Sequence, residues 1–279
     1  MLAVAGGILI FVIKLVAYII SDSVALLSDA LESIVNIVAS VMMVVSIHIA
    51  LKPADQEHKY GHQRAENISC LVEGILIIFA AMLIVMASVG RLFDPVPFSS
   101  IDLALVISLI ATSMNGGLSY LLTRSSRENG SIALEGDAKH LLSDVISSIG
   151  VVIGLFLAKV TGWYILDPIL ALVVAALLIR MAYSVLMKTG DDLMDHSCLE
   201  VEATIESVLQ EQEGFLQYHD LKTRHVGDQV YAEMHLCVRA ESTVAEAHEL
   251  TERIEVALCQ KIPNIIVTIH METERELKN

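Results

Sequence analysis

The chain has 279 residues, of which 54% are hydrophobic and 18% charged, with a formal net charge of −15 and a mean hydropathy of +0.63. That much apolar surface exceeds what one soluble core can bury, so the chain reads as a membrane protein. The acidic balance argues against a nucleic-acid partner, because phosphate binding needs a basic surface.

Nearly all of the first 190 residues fall into six apolar stretches, roughly 2–20, 23–50, 67–90, 101–123, 131–158 and 163–187. Each is long enough to cross about 30 Å of hydrocarbon as a helix rising about 1.5 Å per residue. The first is too long for a removable signal peptide and lacks its small-residue cleavage site. With a cytoplasmic N-terminus, the inner loops hold Lys52, Lys59, Arg64, Arg124, Arg127 and Lys188, and the outer loops hold Arg91 and Lys159. The positive-inside rule favours that orientation and places the C-terminal tail in the cytoplasm. Lys14, Lys139 and Arg180 fall within or at the ends of spans, where they are expected to snorkel or to pair locally.

From residue 196 the composition changes, dividing the chain into a six-helix transmembrane domain (1–195) and a cytoplasmic domain (196–279). The pattern predicts helices at 200–212 and 245–259 and strands at 219–225, 229–238 and 265–270, with a turn at Gly227-Asp228 and a stop at Pro263-Asn264. The order αββαβ is an open-faced α+β sandwich of the metallochaperone kind. So small a core gains from pairing with a second copy. This domain carries 16 Asp and Glu against 7 Lys and Arg, a surface that attracts divalent cations.

Two polar pairs sit inside the apolar stretches, Glu32 with Asn36 and His140 with Asp144. Spacing by four puts each pair on one helix face, and ionisable groups in a span mark a substrate or ion pathway by default. Two carboxylates, an imidazole and an amide oxygen give four ligands with a formal charge of −2, suited to a divalent cation. Asp29 lies near the same face and reads as an outer ligand, a proton-release group or a helix cap. A second cluster, Asp55, His58 and His62, occupies the inner loop after the second span. Six of the ten histidines lie in the cytoplasmic tail, and His219, His235, His248 and His270 with Glu272 form a third cluster that only folding can assemble. His225 reads as a surface or hairpin residue. None of the four cysteines forms a CxxC pair, so neither disulfides nor thiolate metal sites are expected.

The stretch from Asp22 through Ser28-Asp29-Ala30-Leu31-Glu32-Ser33 resembles the second-helix signature of the cation diffusion facilitators. So do Pro53-Ala54-Asp55 through Gly61-His62, then Arg64-Ala65-Glu66, and the His140/Asp144 pair. His219-Asp220-Leu221 with Arg224, and Ala247-His248, resemble that family's cytoplasmic domain, in its bacterial zinc and iron efflux branch. The resemblance covers essentially the whole chain. It implies an inner-membrane homodimer with both termini cytoplasmic, exporting Zn²⁺, Fe²⁺ or Mn²⁺ in exchange for protons by alternating access. It also implies a transport site at Glu32, Asn36, His140 and Asp144, a loop site at Asp55, His58 and His62, and a binuclear regulatory site at His219, His235, His248, His270 and Glu272. A charge interlock of Arg64 with Asp195 follows from it as well. Glu32 stands where family members carry His or Asp, and Asn36 where they carry Asp, which leaves Fe²⁺ and Mn²⁺ open beside Zn²⁺. The alternative is a metal-sensing membrane protein that transports nothing. No phosphate loop, HExxH or hydrolase triad signature occurs, so enzymatic function is not expected.

Overall fold

The structure, a computed structural model, describes residues 2–129 and 132–274. Residue 131, where the fifth stretch is expected to begin, lies outside the described residues, as do the side chains of Arg127 and Lys139. The chain forms two compact units, one of residues 1–46 with 69–186 and one of 47–68 with 187–279.

Six apolar helices run through the first part of the chain: α1 (Leu2–Ser21), α2 (Val24–Ala50), α3 (Ala65–Phe93), α4 (Ile101–Asn129), α5 (Ile132–Thr161) and α6 (Leu166–Leu193). Five, α2 to α6, are long and apolar enough to cross a membrane, and α1 is apolar from Ala5 to Ser21. The first unit packs these helices with small residues at close approaches. A Cβ at Gly74 of α3 would come within 2.7 Å of the Leu186 side chain of α6. α4 packs on α5 and α1, and the Ser119 hydroxyl donates to the Ala138 carbonyl at 2.7 Å. Asp167 caps α2 from the start of α6, accepting from the Val24 N–H at 3.0 Å, the Ala25 N–H at 2.9 Å and the Ser23 hydroxyl at 2.5 Å. A carboxylate there satisfies orphan N–H groups and complements the helix dipole. Arg91 pairs with Asp22 and Lys159 with Asp102.

The second unit contains α7 (Leu199–Gln210), β1 (Gln217–Val226), β2 (Gln229–Val238), α8 (Val244–Lys261) and β3 (Ile265–Thr273), the expected αββαβ order. β1 pairs antiparallel with β2, and β2 pairs parallel with β3. Parallel pairing needs a crossover, which α8 supplies; its capping box joins Thr243 and Glu246. Ile205, Val208 and Leu209 of α7 and Leu250, Ile254 and Leu258 of α8 bury against Val230, Ala232, Met234 and Leu236 of β2. Both helices thus cover one face of the sheet, and odd-numbered residues of β2 line the other. β1 carries a bulge between His219 and Lys222, with Asp220 at φ 53, left-handed backbone that Asp tolerates.

The segment 47–68 belongs to this second unit. Arg224 lies 5.4 Å from the Tyr231 ring centroid and 6.0 Å from that of Tyr60. Gln63 donates to Asp228 at 3.1 Å. Asp195 pairs with Arg64, the interlock the resemblance implies, and is 3.4 Å from Arg224.

Candidate metal sites

In the first unit Asn36 and Asp144 meet across α2 and α5, the Asn36 Nδ2 donating to Asp144 Oδ2 at 2.7 Å. Both line one cavity with His140, Ser33, Ser40 and Asn115. Glu32 does not line it. It faces a smaller cavity formed with Val35, Ile77, Ala80, Leu178 and Met181, on the α3 and α6 side of α2, which Asn36 borders as well. Three of the four intramembrane candidates are therefore brought together directly. Asn115, on α4 and only 3% exposed, is a polar lining residue that the search for ionisable pairs does not reveal, because its companions at helical spacing, Thr112 and Ser119, carry only hydroxyls.

Asp29 is held elsewhere, within reach of Lys14 at 2.8 Å and of the Ser148 hydroxyl at 2.7 Å. Its carboxylate is committed to the interior of the helices.

In the second unit the loop cluster closes on Asp55. Its carboxylate accepts from the backbone N–H of His58 at 2.7 Å and of Glu57 at 2.9 Å. These bonds, the His58 one foremost, hold the Asp55 carboxyl below its usual range. His58 Nδ1 lies 3.4 Å from one carboxylate oxygen and His62 Nε2 lies 3.5 Å from the other. The ligand atoms of all three lie within 4.8 Å of one another, a spread one tetrahedral ion can gather by small side-chain movements.

The third cluster lies on the face of the sheet that the helices leave open. His219, His235 and His270 are register partners across the three strands, with ring centroids 5.0 and 4.8 Å apart in succession. Glu272 stands beside them, 2.7 Å from His235 Nδ1, 3.0 Å from His219 Nε2 and 3.7 Å from His270 Nε2. Partial burial pushes the Glu272 carboxyl up, but hydrogen bonds with His219 and His235 outweigh it and hold the group below its usual range. His219, His235 and Glu272 also offer ligand atoms within 4.8 Å of one another. His248 is not brought to this cluster within the chain. It projects from α8, which packs on the other face, and lies 3.6 Å from Glu252 with 72% of its side chain exposed. The bulge in β1 turns His225, the partner of Val230, to the face opposite His219, the partner of His235.

A buried donor cavity between apolar helices and two carboxylate–histidine clusters in an acidic unit describe a membrane protein that handles cations. Residues 1–194 match the cation efflux transmembrane domain, and residues 199–274 match the cation efflux protein cytoplasmic domain. The chain belongs to the cation diffusion facilitator family of cation efflux transporters. It is 37% identical to an uncharacterised transporter of Synechocystis sp., over 96% of this chain and 87% of that protein. It is 28% identical to the cation-efflux pump FieF of Shewanella oneidensis, over 97% of this chain and 91% of the pump. Its C-terminal part is similar to the metal-bound C-terminal domain of the CzcD transporter from Thermotoga maritima, at 32% identity, covering 29% of this chain and 92% of that one with a TM-score of 0.27. Members of this family are transporters and not enzymes.

Proposed function

We propose that the chain works as an inner-membrane homodimer that exports Zn²⁺ or Fe²⁺, with Mn²⁺ admitted by the same donors, in exchange for protons. The observation that carries this reading is the Asn36–Asp144 contact at 2.7 Å in a cavity that His140 also lines. An amide, a carboxylate and an imidazole from two helices give a divalent ion mixed oxygen and nitrogen donors. Glu32, one turn from Asn36, supplies the second negative charge when it rotates toward the cavity.

Metal and protons compete for the same atoms. Facing the cytoplasm, deprotonated Asp144 and His140 take the cation; facing outward, protons return to them and the cation leaves. The exchange is linkage on shared ligands and requires no covalent chemistry. Both termini are cytoplasmic in this scheme, the open-face cluster binds metal as a regulator, and Asp55, His58 and His62 form a separate loop site.

Proteoliposomes loaded with the chain and given an imposed pH gradient test the reading, with Zn²⁺, Fe²⁺ and Mn²⁺ uptake measured in parallel. Gradient-driven flux is expected for at least one metal and is expected to vanish in Asp144→Ala, with the variant eluting normally on gel filtration. Wild-type rates in Asp144→Ala would refute the proposed site, and metal flux indifferent to the gradient would refute proton exchange.

A further inference from the structure

Cys237 lies two residues along β2 from His235, on the same face of the sheet as the three histidines. Residues 217, 237 and 272 are register partners across β1, β2 and β3, as 219, 235 and 270 are. Its Sγ is 4.0 Å from Glu272 Oε2, the same oxygen that lies 3.0 Å from His219 Nε2. The other oxygen, Oε1, lies 2.7 Å from His235 Nδ1 and 3.7 Å from His270 Nε2. The two oxygens of one carboxylate therefore divide the cluster into two donor sets. One offers imidazole and thiol, the other two imidazoles.

We propose that Cys237, His219 and Glu272 Oε2 form a thiophilic half of the cytoplasmic site, selecting Zn²⁺ and Cd²⁺ over Mn²⁺. This rests on the reading of the open-face cluster as a regulatory metal site. In a tetrahedral site with bonds of about 2.3 Å to sulfur and about 2.0 Å to nitrogen and oxygen, S and O stand about 3.5 Å apart and N and O about 3.3 Å. The separations of 4.0 and 3.0 Å to the shared oxygen lie close to both, and the sulfur joins the donors of His219, His235 and Glu272, which lie within 4.8 Å of one another, as its side chain swings toward the ion. Cys237 is fully buried and Glu272 only 13% exposed, so an incoming ion reaches the sulfur by way of the carboxylate. The thiol proton leaves to solvent as the metal–sulfur bond forms. A thiolate donor favours Zn²⁺, whereas Mn²⁺ prefers oxygen. The intramembrane candidates and the loop cluster contain no sulfur. The site that senses metal and the site that carries it would therefore rank metals differently.

Titrating Co²⁺ into the detergent-solubilised full-length chain tests this, reading the near-ultraviolet sulfur-to-cobalt charge-transfer band while equilibrium dialysis counts bound ions. The band is expected in the wild type and in the Cys70→Ser/Cys198→Ser/Cys259→Ser variant, and is expected to be lost in Cys237→Ser. Zn²⁺ binding at this site should weaken about 10–100-fold in Cys237→Ser, at least the loss that follows removal of a ligand's supporting partner, with Mn²⁺ binding unchanged. A wild-type chain that binds Co²⁺ without the band overturns the proposal even if Cys237→Ser does not fold, and so does a band that survives Cys237→Ser. If Glu272→Ala binds as many ions as the wild type, the open-face cluster is not a metal site and the underlying reading falls too.

Discussion

Lys14 Nζ lies 2.8 Å from Asp29 Oδ1 in a pair whose side chains are 2% and 3% exposed. Ser148 donates to the same carboxylate oxygen, so the pair ties α1 and α2 to α5 within their shared interior. A buried charge left without its partner typically costs about 3–5 kcal/mol, whereas replacing both charges by apolar groups can be nearly neutral. Lys14→Met and Asp29→Leu should each lower stability by that order, and the double variant should recover much of it. Thermal unfolding in detergent measures this, and a Lys14→Met chain as stable as the wild type would show that the pair contributes nothing.

Asn36→Asp should alter metal preference and make transport more steeply dependent on pH. The amide donates to Asp144 at 2.7 Å, and a carboxylate can do so only when it holds a proton. Two carboxylates at that spacing share a proton until a divalent ion displaces it. Competition between Zn²⁺, Fe²⁺ and Mn²⁺ in flux measurements over a pH series reads the effect. An unchanged metal ranking and pH profile would mean that Asn36 is not a ligand.

Gly74→Ala should destabilise the helices by about 1–3 kcal/mol, the usual cost of overpacking a filled interior. The new methyl would come within 2.7 Å of Leu186. Leu186→Ala in the same chain should relieve the clash, so the double variant should lose less than the two single losses combined. Simple additivity in detergent melts would contradict this close approach.

The capping box of α8 gives the second unit an acid-sensitive element. Hydrogen bonds from the Thr243 backbone and side chain hold the Glu246 carboxyl below its ordinary value of 4.5. A depressed carboxyl stabilises the fold above its unfolded value, and that contribution disappears as pH falls through the folded value. Glu246→Gln should therefore be less stable than the wild type at neutral pH, with the gap closing below about pH 4. Melts of the two proteins between pH 3 and 7 would show it, and a gap that stays constant with pH would exclude the carboxylate as its source.

Long apolar runs and the αββαβ order are legible in the sequence because each rests on local periodicity. Contacts between elements are less so. Glu32 and Asn36 are offset by only about 40° around α2, yet Asn36 reaches the cavity of His140 and Asp144 while Glu32 lines only the smaller one that Asn36 also borders, and which helix fills each side is decided by packing. His248 is plainly helical, but no pattern within α8 says which face of the sheet the helix will cover. Asn115 has only hydroxyl companions at helical spacing, Thr112 and Ser119, and Cys237 acquires its neighbours only through strand register. In β1, strict alternation would put His219 and Lys222 on opposite faces; the bulge at Asp220 and Leu221 puts both on the open one.

That bulge has a genetic corollary. Residues 220 and 221 together face one residue of β2, so losing codon 220 would restore a regular strand and leave His219 opposite His235. Losing any one codon from 222 to 226 would slide the upstream chain by one place and carry His219 away from His235, because the turn at residues 227 and 228 anchors the far end. Length variation in this strand among descendants of the same gene should therefore collect at the two-residue bulge, 220 and 221.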